Sequence, residues 1–548
     1  MGQQRNAAIW YAQDGYDPAA KGINGRRVAG DSFLRGFLRH ADVDEFVFLS
    51  RTSIELGPVR QLAAKLRPDR ALRGASMIRP KDISPVSTLF YPSPNYAAEC
   101  WRRGPYGQAA WALCGITHTT STAAVMQGMF DLRMAPIAPW DAVICTSTAV
   151  QAAVLHQMAL IDDHIHAQFG TTSPTRPLFP VIPLGVHCAE FTADPAKTLR
   201  ARLGAGPKDV IFTTIARLTP HEKFDPLPIY LAMQRAQSSL QGQKLHVAFC
   251  GQFRDDHSRA VVTQGAKALM PDVGFTLLDG GNPQDRKDAL SGADVFLFLI
   301  DNIQETFGLA PIEAMAAGLP LLVSDWDGMK DTVTPDVGIR IPTRSLPPEH
   351  LVSEALRYQG GIDSYVQYCA TASALVEIDM AALTKAIIAL AQNPALRQKL
   401  GQAGQRRARA LYDWARIIPQ MQDLWAEQDA IRLKGMPQAR RYAGTSLPVA
   451  PSPTALFANY PSAQTRFDGE TLYLADQPAD LETVLKTRNY PALRRMFADP
   501  KHIAAIQSAV RNSPNGTSVP ALITATALPR MTIERVLIWL LKYGFLRR

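Results

Sequence analysis

The feature that most constrains this fold is a set of short apolar runs that alternate with helix-like stretches. Such runs occupy 7–12, 45–50 and 141–147, with DSFLRGFLRHA and the Ala-rich AAVMQGM between them. The pattern then restarts, with runs at 210–217, 244–251, 274–280, 294–300 and 319–325. Apolar strands alternating with helices predict parallel sheets covered on both faces. We therefore predict the α/β class, with two doubly wound Rossmann-like domains facing across a cleft.

The length and the local composition predict further divisions of the chain. With 548 residues, the chain is too long for one compact core. Proline and glycine are dense in PVIPLGVHCAEFTADPAK, which we predict to link the two units. A Pro-, Ser- and Ala-rich stretch after 430 has the composition of a linker. The predicted divisions are two Rossmann-like domains, a linker and a helical, winged-helix-like accessory domain: 1–188, 189–430, 431–465 and 466–548.

Composition and charge exclude several classes of protein. Hydrophobic residues make up 47% and charged residues 20%, which is an ordinary globular balance. Six scattered cysteines without CxxC pairs indicate reduced core thiols of a cytosolic protein, not a disulfide framework or a zinc site. The first residues lack a secretory signal, and the run at 295–300 is far too short to span a bilayer. We expect a cytoplasmic protein. Its net charge of +9 suits polyphosphate ligands, contact with an anionic membrane surface, or nucleic acid.

Loops that follow strands carry the candidate site, because ligands of doubly wound sheets bind beyond the carboxyl ends of the strands. Arg217 and Lys223 lie just after the run at 210–217. A guanidinium and an ammonium group at this position suit a diphosphate. Further along, NIQETFGLAPIEAM places Glu305 before a helix and Glu313 on it.

The start of that helix is a candidate anion site. Phe307, Gly308 and Leu309 open the helix, where free backbone N–H groups and the helix dipole favour an anion. Gly308 has no side chain, so that a ligand can approach the backbone. Glu313, about one turn further, can accept two hydroxyl hydrogen bonds, as from a ribose. Glu305 can do the same for a sugar. Each carboxylate alone fits an ordinary surface residue, whereas the combination with two nearby cations favours a binding site.

These motifs resemble those of a known enzyme family. The block ETFGLAPIEAMAAGLP resembles the second-domain signature of family 4 glycosyltransferases, which have the GT-B fold. IARLTPHEK looks like the phosphate loop of that family, and VIPLGVH resembles the junction into its second domain. SDWDGMKDTV stands in place of the family's Gly-Gly-x-x-Glu turn, but with Asp327-Gly328 for Gly-Gly and Asp331 for Glu. The resemblance covers residues 1–430.

The resemblance implies a role for each residue of the second domain, which would bind the nucleotide sugar. Arg217 and Lys223 would hold the donor's diphosphate and offset the charge of the leaving group. Glu305 would hydrogen-bond the transferred sugar, and the backbone of 307–309 would meet sugar and phosphate. Glu313 would bind the ribose.

The first domain would form the acceptor side. His118 follows an apolar run, where members of the family carry a histidine near the reacting sugar. The glycine-rich loop GINGRRVAGDSF precedes the first helix, where members of the family approach the donor phosphates. Gly25, Arg26 and Gly30 are the candidates in this loop, which departs from the family's Gly-Gly-Val-Glu form.

The implied reaction is the retaining transfer of a hexose from a nucleotide-diphosphate sugar, with UDP or GDP as the nucleotide. The acceptor would be a glycan, a lipid-linked glycan, a peptide or a small molecule. In the front-face substitution proposed for the family, the leaving phosphate helps to deprotonate the acceptor, so that no enzymic nucleophile, metal or other cofactor is required. Epimerases and phosphorylases share the fold. A phosphorylase would need a pyridoxal-binding lysine, and no sequence feature marks one.

The C-terminal stretch SVPALITATALPRMTIERVLIWLLKYGFLRR suggests helix-turn-helix or winged-helix packing, with a turn at LPRM. From 501 to 548 there are seven Lys and Arg residues and one acidic residue. A nucleic-acid-binding or nucleic-acid-modifying protein is therefore the alternative function. However, the helix in the recognition position is mostly apolar. We favour a module that docks an acceptor, a partner protein or a second copy of the chain.

Overall fold

The computed structural model describes residues 5–16, 25–77, 79–171, 175–191, 198–476, 478, 480–488 and 498–548. The chain forms two compact units, Met1–Ala450 and Pro451–Arg548. The first unit contains two six-stranded parallel sheets, which confirms the predicted α/β class with two Rossmann-like domains.

The first sheet has the strand order β3-β2-β1-β4-β5-β6, all parallel. Its strands are β1 (Ala8–Trp10), β2 (Glu45–Ser50), β3 (Ala71–Ser76), β4 (Thr88–Tyr91), β5 (Ala112–Ile116) and β6 (Ala142–Ile144). Its helices are α1 (Gln13–Tyr16), α2 (Gly25–His40), α3 (Gly57–Leu66), α4 (Ala97–Arg103), α5 (Ala123–Met134) and α6 (Thr148–Phe169). Along β2, Phe46 and Phe48 enter one core and Val47 and Leu49 enter another. Both faces are therefore covered, which explains why this strand is a continuous apolar run.

The second sheet repeats the arrangement in the order β12-β11-β10-β7-β8-β9. Its strands are β7 (Val210–Ile215), β8 (Leu245–Gly251), β9 (Gly274–Asp279), β10 (Val295–Phe298), β11 (Leu321–Ser324) and β12 (Gly338–Ile341). A small antiparallel pair follows, β13 (Thr343–Ser345) with β14 (Val376–Ile378). The helices up to this pair are α7 (Thr198–Arg202), α8 (Leu227–Ser238), α9 (Asp256–Leu269), α10 (Pro283–Ser291), α11 (Leu309–Ala317), α12 (Met329–Thr332), α13 (Val352–Gln359) and α14 (Tyr365–Ala374). In both sheets the strand order reverses beside the first strand, which is where doubly wound folds bind ligands.

The last helices of the first unit do not follow the domain boundary that we predicted at 430. The chain continues through α15 (Met380–Gln392), α16 (Pro394–Arg407) and a π-helical turn, and then begins α17 (Trp414–Gly435). Asp413 is extended and caps α17, so that the helical path is broken there. The apolar stripe of α17, with Trp414 and Trp425, is buried in the core of the first sheet. This helix therefore packs against the first domain and does not close the second.

The second unit is mainly helical, as predicted. It contains α18 (Pro453–Leu456), α19 (Leu481–Arg488), α20 (Pro500–Arg511), α21 (Val519–Thr526) and α22 (Arg530–Lys542). The strands β15 (Tyr473–Leu474) and β16 (Leu546–Arg547) pair antiparallel. Several of its arginines form ion pairs within the unit: Arg530 with Asp468 and Glu534, Arg547 with Asp476, and Arg548 with Glu470.

Two general expectations also bear on the fold. All six cysteines are buried and carry free thiols, as expected for core residues. Over the described ranges, no helix has both the length and the apolar character needed to cross a membrane.

Candidate active site

Two loops at the carboxyl edge of the second sheet bring a cation and a carboxylate together. Lys223 lies in the loop between β7 and α8, and Glu305 lies in the loop between β10 and α11. Because β7 and β10 are neighbours in the sheet, the two loops meet. The ammonium group of Lys223 donates to Oε2 of Glu305, and the two side chains are only 20% and 12% exposed. The sequence placed both residues beyond strand ends, and the structure shows that they are paired.

The carboxylate of Glu305 is held as an anion. Its Oε1 accepts from the backbone N–H of Gly308 at 3.1 Å and from that of Thr306 at 3.4 Å. Burial raises the pKa of Glu305, but the Lys223 ammonium and these two N–H groups together bring the pKa below its ordinary value. In this arrangement the carboxylate of Glu305 accepts from the N–H of Gly308. This N–H is one of the backbone groups that we predicted to bind an anion.

The loop conformation before α11 requires glycine. Gly308 is the N-cap of α11 and has φ of +81°, a left-handed conformation. A Cβ at this position would meet its neighbours at ordinary distances of 3.5 Å or more, so that backbone conformation and not crowding selects glycine. The Phe307 side chain is 2% exposed and packs against Tyr412, so that only its backbone can face a ligand. Leu309 begins the helix.

A second group of charges lies beside the pair. Nη1 of Arg217 donates to Oε2 of Glu222 at 3.1 Å, and Nη2 donates to the side-chain oxygen of Gln304. The same Glu222 accepts from Arg254, which lies just beyond the carboxyl end of β8. Arg254 is not among the site residues predicted from the sequence. Its position in GQFRDD, directly after an apolar run, is the signal that would have found it.

Glu313 lies on α11 and is largely enclosed, with 14% of its side chain exposed. Oε2 lies 3.8 Å from Nη2 of Arg286. Burial raises the pKa of Glu313, Arg286 opposes the rise, and Glu190 adds to it. Glu313 is therefore not a solvated helix residue.

The first domain contributes the loop that follows β5. His118 lies two residues after this strand, is partly buried and lines an apolar cavity together with Gly30, Ile116 and Trp414. Gly25 is the first residue of α2, and the side chain of Arg26 lies outside the described part of the chain.

Gly30 has a packing explanation. A Cβ there would lie 2.2 Å from the carbonyl oxygen of Gly15, so the glycine allows α2 to approach α1. The donor-binding roles of Gly25, Arg26 and Gly30 stay predictions.

The turn after β11 joins the two Rossmann-like domains. Oγ of Ser147, the N-cap of α6, donates to the carbonyl oxygen of Thr306 at 2.9 Å and to Oδ1 of Asp327 at 3.3 Å. The backbone N–H and Oγ1 of Thr148 donate to the carboxylate of Asp331 at 2.6 and 2.5 Å. The N-terminus of a first-domain helix thus binds the carboxylates that stand in the turn SDWDGMKDTV.

Asp327 is unusual in both conformation and charge. Its φ is +43°, which few residues other than glycine adopt. Burial raises the pKa of Asp327 to about 7, and the carboxylates of Glu305 and Asp331 act in the same direction, against the Gly328 N–H and the Ser147 hydroxyl. Its Oδ2 is buried and has no hydrogen-bond partner among the described residues.

Comparisons with known proteins agree with this architecture. Residues 196–353, which contain Arg217, Lys223 and both glutamates, match the family model "Glycosyl transferases group 1". A search of curated protein sequences finds no match.

Among solved structures, HepE from Anabaena in complex with UDP has a TM-score of 0.50 and 14% identity over 77% of this chain and 100% of that one. A glycosyltransferase from Rickettsia africae has a TM-score of 0.48 and 12% identity, over 77% and 99% of the two chains. Sucrose-phosphate synthase from Thermosynechococcus elongatus has a TM-score of 0.47 and 16% identity, over 78% and 99%. At these identities the likeness to HepE shows the fold alone. The chain has the GT-B fold, its segment 196–353 is similar to the group 1 glycosyl transferases, and it is a glycosyltransferase.

Proposed function

We propose that the protein is a retaining glycosyltransferase of family 4 that moves a hexose from a nucleotide-diphosphate sugar to an acceptor hydroxyl without a metal. The observation that carries the proposal is the ion pair of Lys223 and Glu305 beside Arg217, all within the matched segment. The acceptor would be a glycan, a lipid-linked glycan, a peptide or a small molecule.

The cations at this edge suit the donor's diphosphate. Arg217, Lys223 and Arg254 lie in loops that follow neighbouring strands, and Arg217 and Arg254 share one carboxylate, Glu222. In the free protein each charge is compensated by a carboxylate or an amide oxygen. When a donor binds, the phosphate oxygens would replace Glu305 as the partner of Lys223. The freed carboxylate would then accept hydrogen bonds from hydroxyl groups of the transferred sugar.

The second glutamate suits the ribose of the donor. Glu313 is enclosed, and its nearest cation is 3.8 Å away, so that its oxygens remain able to accept from two neighbouring hydroxyl groups. UDP is the first nucleotide to test and GDP the second, because HepE was solved with UDP.

The chemistry would be a front-face substitution. The acceptor oxygen forms a bond to the anomeric carbon while the bond from that carbon to the diphosphate oxygen breaks on the same face. The acceptor's proton passes to the leaving diphosphate. Arg217 and Lys223 would offset the charge that develops there, which is the role a metal plays elsewhere. His118 would hydrogen-bond the reacting sugar from the first domain.

Closure of the two domains would limit hydrolysis of the donor. The hydrogen bonds from Ser147 to Thr306 and from Thr148 to Asp331 join the two domains. A closed cleft excludes water and favours transfer to the acceptor over transfer to water.

The alternative function in nucleic-acid binding has less support than the sequence suggested. Of the seven basic residues between 501 and 548, Arg530, Arg547 and Arg548 form ion pairs with acidic residues of the same unit. We favour a docking role for this unit, toward the acceptor, a protein partner or a second copy of the chain. We also propose a cytoplasmic location for the enzyme, because its buried free thiols suit a reducing compartment. This location is compatible with peripheral contact with a membrane.

A thermal-shift panel of UDP, GDP and ADP sugars tests the proposal. A donor that binds the folded protein raises its melting temperature by mass action, by several degrees at concentrations far above the dissociation constant. We expect one nucleotide class to do so in the wild type and to fail in Lys223→Ala. The control is Glu377→Gln, which removes an exposed ion pair of the same domain. If no nucleotide sugar stabilises the wild type, the proposal fails.

A further inference from the structure

The segment Val352–Ala374 of the second domain reaches across the cleft to the first. Two tyrosine hydroxyl groups make the contact. Oη of Tyr358 accepts from the backbone N–H of Ala123 at 2.8 Å. Oη of Tyr365 lies 2.8 Å from Oγ of Ser121 and 3.3 Å from Oγ1 of Thr119.

All three partner residues belong to the loop that carries His118 or to its end. Thr119 and Ser121 follow His118 by one and three residues, and Ala123 is the first residue of α5. The N–H groups of a first helical turn have no partner within the helix. The hydroxyl group of Tyr358 supplies one from the other domain. The tyrosines therefore hold the loop of the proposed catalytic histidine and not a remote surface.

Tyr365 also lies near the donor side of the cleft. Burial raises the pKa of Tyr365, and the side chains of Ser121, Thr119 and Gln304 oppose the rise. The side-chain oxygen of Gln304 accepts from Arg217. Gln304 directly precedes Glu305 in the chain. The hydroxyl group of Tyr365 thus contacts the His118 loop and lies near Gln304, the partner of a cation proposed to bind the diphosphate.

The tyrosines are set in a small aromatic cluster. The ring of Tyr358 stacks on that of Tyr368 with centroids 4.6 Å apart and lies 6.0 Å from that of Tyr365. The helix α13 has no buried residue, and Val352 and Leu356 are more than half exposed. Ring stacking and the contacts across the cleft therefore position α13 more than any core of its own.

We propose that Tyr365, assisted by Tyr358, is a positioning residue for sugar transfer: it ties the His118 loop to the second domain, beside Gln304 and Arg217. The inference rests on the proposed function. A donor can bind the second domain without this tie, but the acceptor side then loses its alignment with the reacting carbon. A misplacement of about 1 Å can lower a rate by about 100-fold. The tie therefore acts on turnover and not on donor affinity.

Hydroxyl deletions test the proposal. Tyr365→Phe and Tyr358→Phe keep the rings and remove the hydroxyl groups that contact the first domain. Tyr368→Phe is the matched control, because Tyr368 stacks in the same cluster and makes no hydrogen bond to the first domain in the described part of the chain. We expect kcat for transfer to fall about 10- to 100-fold in Tyr365→Phe, with the KM for donor changed less than about 2-fold. Full turnover in Tyr365→Phe, or an equal loss in Tyr368→Phe, overturns the proposal.

A distance measurement separates this inference from the proposed function. The six native cysteines are buried, so that spin labels can be attached to Ala152→Cys on α6 and Ala381→Cys on α15, both exposed. In the free protein we expect a longer and broader distance between the labels in the double variant Tyr358→Phe/Tyr365→Phe than in the labelled wild type. An unchanged distance overturns the tie. A wild type that binds no nucleotide sugar overturns the proposed function, and the label distances still decide the tie.

Discussion

The ammonium group of Lys223 donates to the carboxylate of Glu305 and joins the loop after β7 to the loop after β10. Both side chains are largely buried, so that removal of one charge leaves the other without compensation. We expect Lys223→Ala and Glu305→Gln each to lower transfer by at least about 100-fold while the fold is kept. Steady-state kinetics and circular dichroism measure the two properties.

The double variant Lys223→Ala/Glu305→Gln distinguishes catalysis from stability. Because it removes both charges, its melting temperature should recover part of the loss seen in Lys223→Ala, while its activity should not recover. Full activity in either single variant would remove the donor-site assignment. Glu377→Gln again serves as the surface control.

Changing either of two glycines near the Lys223–Glu305 pair to alanine should impair donor binding, for a different reason in each case. Gly308→Ala strains a left-handed backbone, at about 1–2 kcal/mol of stability. Gly328 has an ordinary φ of −61°, but a Cβ would lie 2.6 Å from Cα of Phe307 and force the two loops apart. Both changes should weaken donor binding, as measured by calorimetry. Gly242→Ala, with φ of +67° and open space around it, should lose similar stability and keep donor affinity. Equal loss of affinity in Gly242→Ala would argue against the assignment.

Local patterns explain why much of this site could be predicted from the sequence. The runs that became β7, β8, β10 and β11 are mostly apolar because both faces of the sheet are covered. Gly318 ends α11 in a left-handed conformation, which glycine adopts readily. The placement of Glu305 before a helix and of Glu313 on it follows from these two signals. A motif of this kind is encoded within about 20 adjacent residues, which is the range that periodicity can report.

The parts of the fold and of the site that could not be predicted from the sequence depend on contacts between distant parts of the chain. The helix α17 has the pattern of any amphipathic helix, and nothing local indicates that Trp414 packs into a space left by Gly36 and Gly185. The edge strand β3 is mostly accessible and carries no alternating apolar pattern. The tyrosines of α13 and α14 become recognisable only once the two domains are placed beside each other. Sequence patterns of this kind predict which segments form helices and strands, but not which faces of those helices and strands pack together.

The buried carboxyl group of Asp327 should make stability depend on pH. Its folded-state pKa of about 7 exceeds the ordinary value of 3.8, chiefly because of burial. The folded protein therefore binds more protons than the unfolded chain between these values, and stability falls as the pH rises through them. Asp327→Asn removes this titration, and Asn tolerates a positive φ. We expect the variant to match the wild type near pH 4 and to exceed its stability by about 2–4 kcal/mol at pH 8.

Chemical denaturation of both proteins from pH 4 to pH 8 measures this difference. Ser147→Ala removes a hydroxyl group that stabilises the carboxylate, and it should move the decline in stability to higher pH. Parallel stability curves for the wild type and Asp327→Asn would show that this carboxyl group does not titrate in the expected range.

The crossing between the two domains at Asp413 should contribute to the stability of the first domain. Oδ1 of Asp413 caps α17 by accepting from the N–H of Ala415 at 2.9 Å, and Oδ2 accepts from the N–H of Cys188 at 3.1 Å. Val186 and Asp413 form a parallel bridge at the same point. The segment that leads from the first domain to the second and the segment that returns to α17 are therefore joined there. Asp413→Ala removes both side-chain contacts, and the lost cap alone costs about 1 kcal/mol. Asp413→Asn keeps a good cap and should lose less than half as much.

Urea denaturation followed by tryptophan fluorescence reports this effect, because Trp414 and Trp425 lie in the core that α17 shares with the first sheet. We expect the fluorescence transition to move to lower urea in Asp413→Ala and to stay near that of the wild type in Asp413→Asn. The reverse order of the two variants would mean that the charge of Asp413, and not its capping of α17, stabilises the crossing.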